Sequence, residues 1–209
     1  MHLKRLGLVV LLAALTGCGG GEAPVSPEVK AAGLRFADTV APEDREWIQA
    51  AIEQARPEAR ALIDDVDGMV VVSTYSEPGS HAVGMMRTTQ PGAYEVTFNL
   101  AYLNGHRKID RDSTVIHELG HVVDHALVPP ELRDSLAAAL PPVGACVTQD
   151  RGDCTAPEER FADTFAKWAL RGAVSAAGAG YGVATPASLE DWGAPLAALA
   201  IEIDVAAAR

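Results

Sequence analysis

Residues 111–128, RDSTVIHELGHVVDHALV, restrict the fold of this chain more than any other segment, because they combine a helical apolar face with a row of polar side chains. Four apolar residues recur at the spacing of one helix face: Ile116, Leu119, Val123 and Leu127. Asp112 or Ser113 can cap the start of this helix, and Pro129–Pro130 can end it. The segment therefore predicts a helix packed into a core, and its polar row calls for a chemical explanation.

The polar row consists of His117, Glu118 and His121. The two histidines are four residues apart, so they lie on the same face in adjacent helical turns. Glu118 lies about 100° round the helix from His117, which suits a residue beside a bound ion rather than on it. This H-E-x-x-H pattern is typical of a zinc site whose glutamate is the general base for a zinc-bound water.

A pair of partly buried histidines that find their partners within the core is the alternative interpretation. The aliphatic flanks, the capping residues and the proline break favour the metal site. Gly120 lies in the middle of the same helix, where a glycine costs about 1 kcal/mol relative to alanine. We therefore expect another part of the chain to approach the helix closely at Gly120.

The first 17 residues have the pattern of an export signal. Lys4 and Arg5 precede an apolar run over residues 6–15, which is too short to span a membrane. The sequence LTGC ends at Cys18 and resembles a bacterial lipobox, in which the cysteine is lipidated and becomes the mature N-terminus. The alternative is an ordinary signal peptide cut nearby, and both interpretations predict export from the cytoplasm.

A linker is expected at residues 18–33, since glycine, proline and small residues there suit a flexible tether. Residues 34–209 have the length of one domain with a sizeable core. The formal net charge is −11, and removal of Lys4 and Arg5 with the signal takes it to −13. This charge argues against a nucleic acid or an anionic surface as a partner.

Strand-like segments precede most of the helical ones, so the pattern predicts an α+β domain with a small sheet and a helical C-terminal half. Strands are predicted at 68–75, 81–89 and 93–103, and helices at 41–65 with a break at Pro57, 130–140, 157–170 and near the C-terminus. In the last strand, apolar and polar residues alternate, with Glu95, Thr97 and Asn99 on a face expected to be wet.

A catalytic zinc ion needs three protein ligands and one open position. His125 is one candidate for the third ligand, but it lies eight residues beyond His117 on the same helix. That separation is about 12 Å along the helix axis, and zinc–nitrogen bonds of about 2 Å do not bridge it. His125 is therefore expected beside the site or at the surface.

Glu159 and Asp163 are better candidates, because they are four residues apart on one face of the predicted helix 157–170. Glu159 would bind the ion, and Asp163, one turn on, would orient a ligating histidine through its free N–H. Thr155 and Glu158 match a capping box, which gives Glu158 a structural role at the helix start. The alternative is that Glu159 and Asp163 are solvated surface acids, although their mutual repulsion argues against this.

HELGHVVDH with the downstream EERFADTFA resembles the gluzincin zinc peptidases, and especially the anthrax-lethal-factor-like metallopeptidases. The resemblance covers roughly residues 95–170. It implies a zincin-like domain that binds one Zn²⁺ through His117, His121 and Glu159, with Glu118 as base and Asp163 supporting the ligands. Asp124 falls on a position of the family pattern, and the residues themselves give it no role.

The resemblance is incomplete in one respect, since the family has a tyrosine shortly before the ligand glutamate and VTQDRGDCTAP contains none. Tyr181 is the replacement we expect to stabilise the oxyanion, whereas Tyr94 and Tyr102 are expected in the core or a strand. Cys146 and Cys154 remain as a pair in an exported protein, so we expect a disulfide between them.

The sequence thus predicts an exported, lipid-anchored zinc peptidase, or a related amidohydrolase, that acts on a peptide or protein and contacts the membrane through its N-terminal lipid. Residues 94–100 are the strand expected to pair with an extended substrate. The alternatives are a non-catalytic zinc-containing scaffold lipoprotein and a toxin-like protease with a single target. The intact Glu118 disfavours the scaffold, because a structural zinc site has no use for a base.

Overall fold

The structure is a computed structural model, and it describes residues 33–80, 82–105, 109–142, 156–173 and 183–209. These residues form an α+β fold with seven α-helices and a four-stranded mixed sheet, as predicted. Among the helices of these residues, none is both long and apolar enough to cross a membrane.

The strands and helices have the following bounds: β1 Arg35–Phe36, α1 Pro42–Gln54, α2 Pro57–Val66, β2 Val70–Tyr75, β3 Gly84–Gln90, β4 Ala93–Asn99, α3 Leu100–Leu103, α4 Arg111–Ala126, α5 Pro130–Ala138, α6 Pro157–Ala169 and α7 Leu189–Ala207. A 3-10 turn at Asp67–Met69 joins α2 to β2. The predicted break before Pro57 is confirmed. Strand β1 was not predicted, because two residues are too few for a periodic pattern.

The strand order in the sheet is β1-β2-β4-β3. β1, β2 and β4 are parallel, and β3 is antiparallel to β4. Since β4 is hydrogen-bonded to β2 on one side and to β3 on the other, it has no free edge. The prediction that residues 94–100 pair with an extended substrate is therefore wrong, and β3 lies at that edge of the sheet instead.

The two faces of β4 follow the predicted alternation except at one position. Tyr94, Val96 and Phe98 are buried, while Glu95 and Thr97 face partly open space. Asn99 was expected on the wet face but is fully buried. Its side chain accepts a hydrogen bond from the Glu77 backbone N–H at 3.0 Å and caps α3, which explains a buried amide there.

Helix α4 is the centre of the domain, where it packs against α1, α2, α6 and the strands β3 and β4. Its predicted apolar residues Ile116, Leu119 and Val123 are fully buried. The cap differs from the prediction, because the Asp110 carboxylate accepts the Ser113 backbone N–H at 3.0 Å. Burial on nearly all sides fixes the direction in which α4 presents its polar row.

Candidate metal centre

Helices α4 and α6 bring together three side chains whose donor atoms surround one point. His117 and His121 come from α4, and Glu159 comes from the first turn of α6. Glu159 Oε2 lies 3.1 Å from His117 Nε2 and 3.5 Å from His121 Nε2. The three donor atoms all lie within 4.8 Å of one another. This group can hold a metal ion, as predicted, and His125 does not belong to it.

Two members of this group, His121 and Glu159, line an open cleft of about 450 Å³. The cleft is lined by the start of α6, by Glu118, His121 and His125 of α4, and by strand β3 with Ala82 before it. The side chains of His117 and His121 are only 7% and 8% exposed, and that of Glu159 is 22% exposed. An ion held here would be shielded on the protein side and accessible from the cleft.

Glu118 also lines the cleft, and its exposed fraction is only 6%. It follows His117 on α4 but does not belong to the three-residue group that can hold a metal. This position beside the ligands is the one that the sequence predicted for a general base. Its role in proton transfer stays a prediction.

The charges in the centre act on one another strongly. Burial would raise the pKa of Glu159, but hydrogen bonds and charge from His117 and His121 lower it to about 2. Burial would lower the pKa of His117, yet the Glu159 hydrogen bond and the charges of Glu118, Glu159 and Asp163 raise it above its ordinary value. Burial raises the pKa of Glu118 despite the opposing effect of the two histidines.

No family model, curated protein or solved structure matches this chain. The candidate metal centre is therefore inferred from its donor atoms, from the distances between them and from their burial.

Gly120 explains how α6 comes near enough for Glu159 to reach the histidines. A Cβ atom at Gly120 would lie 3.0 Å from Phe165 Cδ1 and 3.3 Å from Ala162 Cα, both on α6. The close approach expected from a mid-helix glycine is confirmed. The two helices pack closely because the residue between the histidine turns has no side chain.

Replacement of Gly120 by alanine should weaken metal binding on the order of tenfold, the lower end of what loss of a supporting contact costs. The methyl group would push α6, and Glu159 with it, away by a few tenths of an ångström. Zinc affinity by competitive titration is the measurement, and Gly68→Ala is the control because a Cβ there meets nothing within 4 Å. Equal affinities in the two variants would contradict this role of Gly120.

Asp163 lies on α6 and is buried, one turn beyond Glu159. Its Oδ2 accepts a hydrogen bond from Lys167 Nζ at 2.6 Å, and its charge contributes to the raised pKa of His117. Lys167 Nζ also donates to the Val183 carbonyl. The carboxylate is therefore buried near the histidines, and its orienting hydrogen bond to one of them stays a prediction.

The capping box predicted for the start of α6 is wrong, because the N-cap lies one residue later than predicted. The helix begins at Pro157 and its N-cap is Ala156, which offers no capping side chain. Glu158 is therefore the second residue of the helix, where it is exposed and lines the rim of the cleft. Thr155 lies outside the described residues.

Asp124 has a structural role that the sequence did not reveal. It is buried on α4, and its Oδ1 accepts a hydrogen bond from Arg133 Nε at 2.6 Å. Arg133 also donates to the backbone carbonyls of Asp124 and Val128. The ion pair fastens α5 to the end of α4, whereas the neighbouring His125 is exposed and lines the cleft.

Arg133→Ala should lower the free energy of unfolding by about 2–3 kcal/mol, because it leaves the buried Asp124 carboxylate without its charged donor. The control is Arg87→Ala, whose ion pair with Glu95 is largely exposed and should contribute less than about 1 kcal/mol. Urea unfolding midpoints measure both variants. A loss no larger than that of the control would show that the Asp124 pair does not hold α5.

The remaining predicted residues divide into those that the structure describes and those that it does not. Tyr94 is buried in the core, as expected. Tyr102 was expected in the core or a strand, but it is half-buried in helix α3, where its hydroxyl donates to the Pro78 carbonyl at 2.9 Å. Four predicted residues lie outside the described ranges: Cys18, Cys146, Cys154 and Tyr181.

Proposed function

We propose that this chain is a zinc-dependent peptidase. The observation that carries the proposal is the convergence of two imidazoles and a carboxylate next to a separate buried glutamate. A purely structural site has no need for the additional acid. The resemblance of HELGHVVDH and EERFADTFA to the gluzincin peptidases supports the same function.

Zinc is the ion that suits this donor set. Two imidazole nitrogens and one carboxylate oxygen form a three-ligand set typical of catalytic zinc sites, which keep a fourth position open. Imidazole donors disfavour calcium and magnesium, which prefer oxygen ligands. The cleft on the open side of the group provides access to that fourth position.

When bound, the zinc ion would supply Lewis acidity to the scissile carbonyl and to a water nucleophile. Glu118 takes the proton from that water and passes it to the leaving nitrogen. Glu118 is buried, and desolvation raises the pKa of its carboxyl group. A raised pKa helps a carboxylate to accept a proton and then donate it. Asp163, buried one turn beyond Glu159, supports the histidines.

A peptide in extended conformation is the substrate that the cleft suits best. Among the described residues, β3 is hydrogen-bonded to β4 alone, so its outer backbone groups are available at the sheet edge. β3 also lines the cleft, as does the start of α6. A substrate strand added to β3 would bring a peptide bond towards the metal centre, and β3 thus takes the role first expected for residues 94–100.

We place this peptidase outside the cytoplasm, anchored by a lipid on Cys18. The basic start, the short apolar run and LTGC support this location. Stable anchoring requires more than one acyl chain, so a multiply acylated Cys18 is expected at the mature N-terminus. Mass spectrometry of the N-terminal peptide tests it, and an unmodified N-terminus at another residue would refute the anchor.

The test of the proposed function is hydrolysis of a fluorogenic peptide library by purified wild-type protein. Activity should disappear with a chelator and return with added zinc. In parallel, new protein termini should be compared between cells with the wild-type protein and cells with Glu118→Gln. The second assay detects a narrow, toxin-like specificity that the library misses. If the protein binds zinc but neither assay shows cleavage, it is the non-catalytic scaffold.

A further inference from the structure

The start of strand β3 passes directly over the side chain of Glu118. A Cβ atom at Gly84 would lie 2.7 Å from Glu118 Cγ and 2.8 Å from its Cδ, and it would also meet Oε1. Real Cβ atoms do not come this close to other heavy atoms, so any side chain at Gly84 would displace the glutamate. The part of β3 that contacts Glu118 is therefore backbone without a side chain.

The register of the sheet explains why Gly84 points towards α4. Gly84 pairs with Phe98 and Met86 pairs with Val96, and both β4 residues belong to the buried face. Residues two apart in a strand share a face, so Gly84 and Met86 face the helix while Met85 is exposed on the other side. Gly84 is the residue of this inner row that meets the polar row of α4.

Backbone conformation does not require glycine at this position. Among the described glycines, a positive φ angle occurs at Gly33, Gly92 and Gly172, where adding a Cβ meets nothing within 4 Å. Gly84 is the opposite case, because its φ is ordinary for a strand and the space around it is occupied. A larger residue in place of Gly84 would fill the space that Glu118 occupies, but it would not disturb a turn.

We infer that Gly84 is a positioning residue for Glu118. This inference rests on the proposed function for its catalytic meaning. Because Cγ and Cδ both lie against Gly84, the carboxylate cannot avoid an added methyl by rotating its last bond, and the whole side chain has to take another rotamer. Because β3 has no side chain at Gly84, the carboxylate of Glu118 keeps its position beside the metal-binding group and at the cleft.

Gly84→Ala should lower kcat for peptide hydrolysis about 100-fold, as expected when a reacting group is misplaced by about 1 Å. KM and zinc affinity should stay unchanged, because the three atoms nearest to an added Cβ all belong to Glu118, which is not a member of the metal-binding group. The control is Gly79→Ala, in the loop before β3, where a Cβ meets nothing within 4 Å. Unchanged kcat, or equal loss of zinc affinity, would overturn the inference.

A second experiment needs no substrate and separates this inference from the peptidase proposal. The melting temperatures of Gly84→Ala, Glu118→Ala and the double variant form a cycle. Gly84→Ala should lower the melting temperature in the wild-type background and lower it much less once Glu118 is alanine. Additive effects of the two substitutions on the melting temperature would show that Gly84 and Glu118 do not interact. If Gly84→Ala does not fold, a folded double variant supports the contact, and a double variant that also fails to fold refutes it.

Discussion

Glu118→Gln should lower the rate of peptide hydrolysis by about 10²–10⁴-fold while the protein keeps its metal. Glutamine has nearly the same shape as glutamate, but its amide does not accept a proton from water. Glu118 is buried beside the metal-binding group and does not belong to it. Turnover of a cleaved peptide and zinc content by elemental analysis, measured on the same sample, test this expectation.

The control for this variant is Glu131→Gln, an exposed residue of α5 that does not line the cleft. It makes the same chemical change away from the site and should leave both rate and zinc content unaltered. Loss of zinc from Glu118→Gln would show that Glu118 is a ligand. A rate equal to that of the wild type would place the base elsewhere.

Glu159→Ala should abolish both metal binding and hydrolysis. It leaves two donor atoms of the three that surround the site, and loss of a direct ligand should exceed the roughly 100-fold loss of affinity caused by changing an outer partner. Zinc at 100 times its dissociation constant should stabilise the wild-type protein by about 2.7 kcal/mol. The variant should show no such gain, which a thermal melt with and without zinc measures.

Glu158→Ala is the matched control for metal binding, because Glu158 is the adjacent carboxylate and lines the cleft without joining the donor group. Its zinc affinity should equal that of the wild type. If Glu158→Ala loses the metal and Glu159→Ala keeps it, the ligand assignment is wrong by one residue, and the resemblance to the gluzincins weakens with it.

The metal-free protein offers a further measurement on Glu159. Its pKa is about 2 in the folded protein, against an ordinary value of 4.5. A depressed carboxyl pKa contributes stability that is complete above about pH 4.5 and is lost as the pH falls towards 2. The stability of the wild type should therefore decrease more steeply with acid over this window than that of Glu159→Ala.

The part of the site that lies on helices was predictable, because its signals are local. His117 and His121 follow from spacing within one helix, and Glu159 follows from spacing within another together with the family resemblance. The α+β class likewise followed from short runs of strand and helix pattern. Apart from the family resemblance, these inferences required only neighbours within a few residues.

The features that the sequence did not reveal depend on partners distant in the chain or on exact register. Gly84 meets Glu118 from 34 residues away, and the Asn99 amide is buried because loop carbonyls and N–H groups lie around it. The N-cap of α4 lies two or three residues before the predicted candidates, and that of α6 lies one residue after the predicted one. No pattern along the chain distinguishes such alternatives, since tertiary packing selects between them.

The ion pair between Asp163 and Lys167 affects the net charge of the centre. Since Lys167 compensates Asp163, the carboxylates of Glu118 and Glu159 remain to be balanced when both are ionised, and a dication such as the proposed zinc ion balances both. A monovalent ion would leave one uncompensated negative charge in a site where burial makes such charge costly. In the proposed zinc site, Lys167, whose side chain is 13% exposed and which belongs neither to the cleft lining nor to the donor group, thus favours a divalent over a monovalent ion.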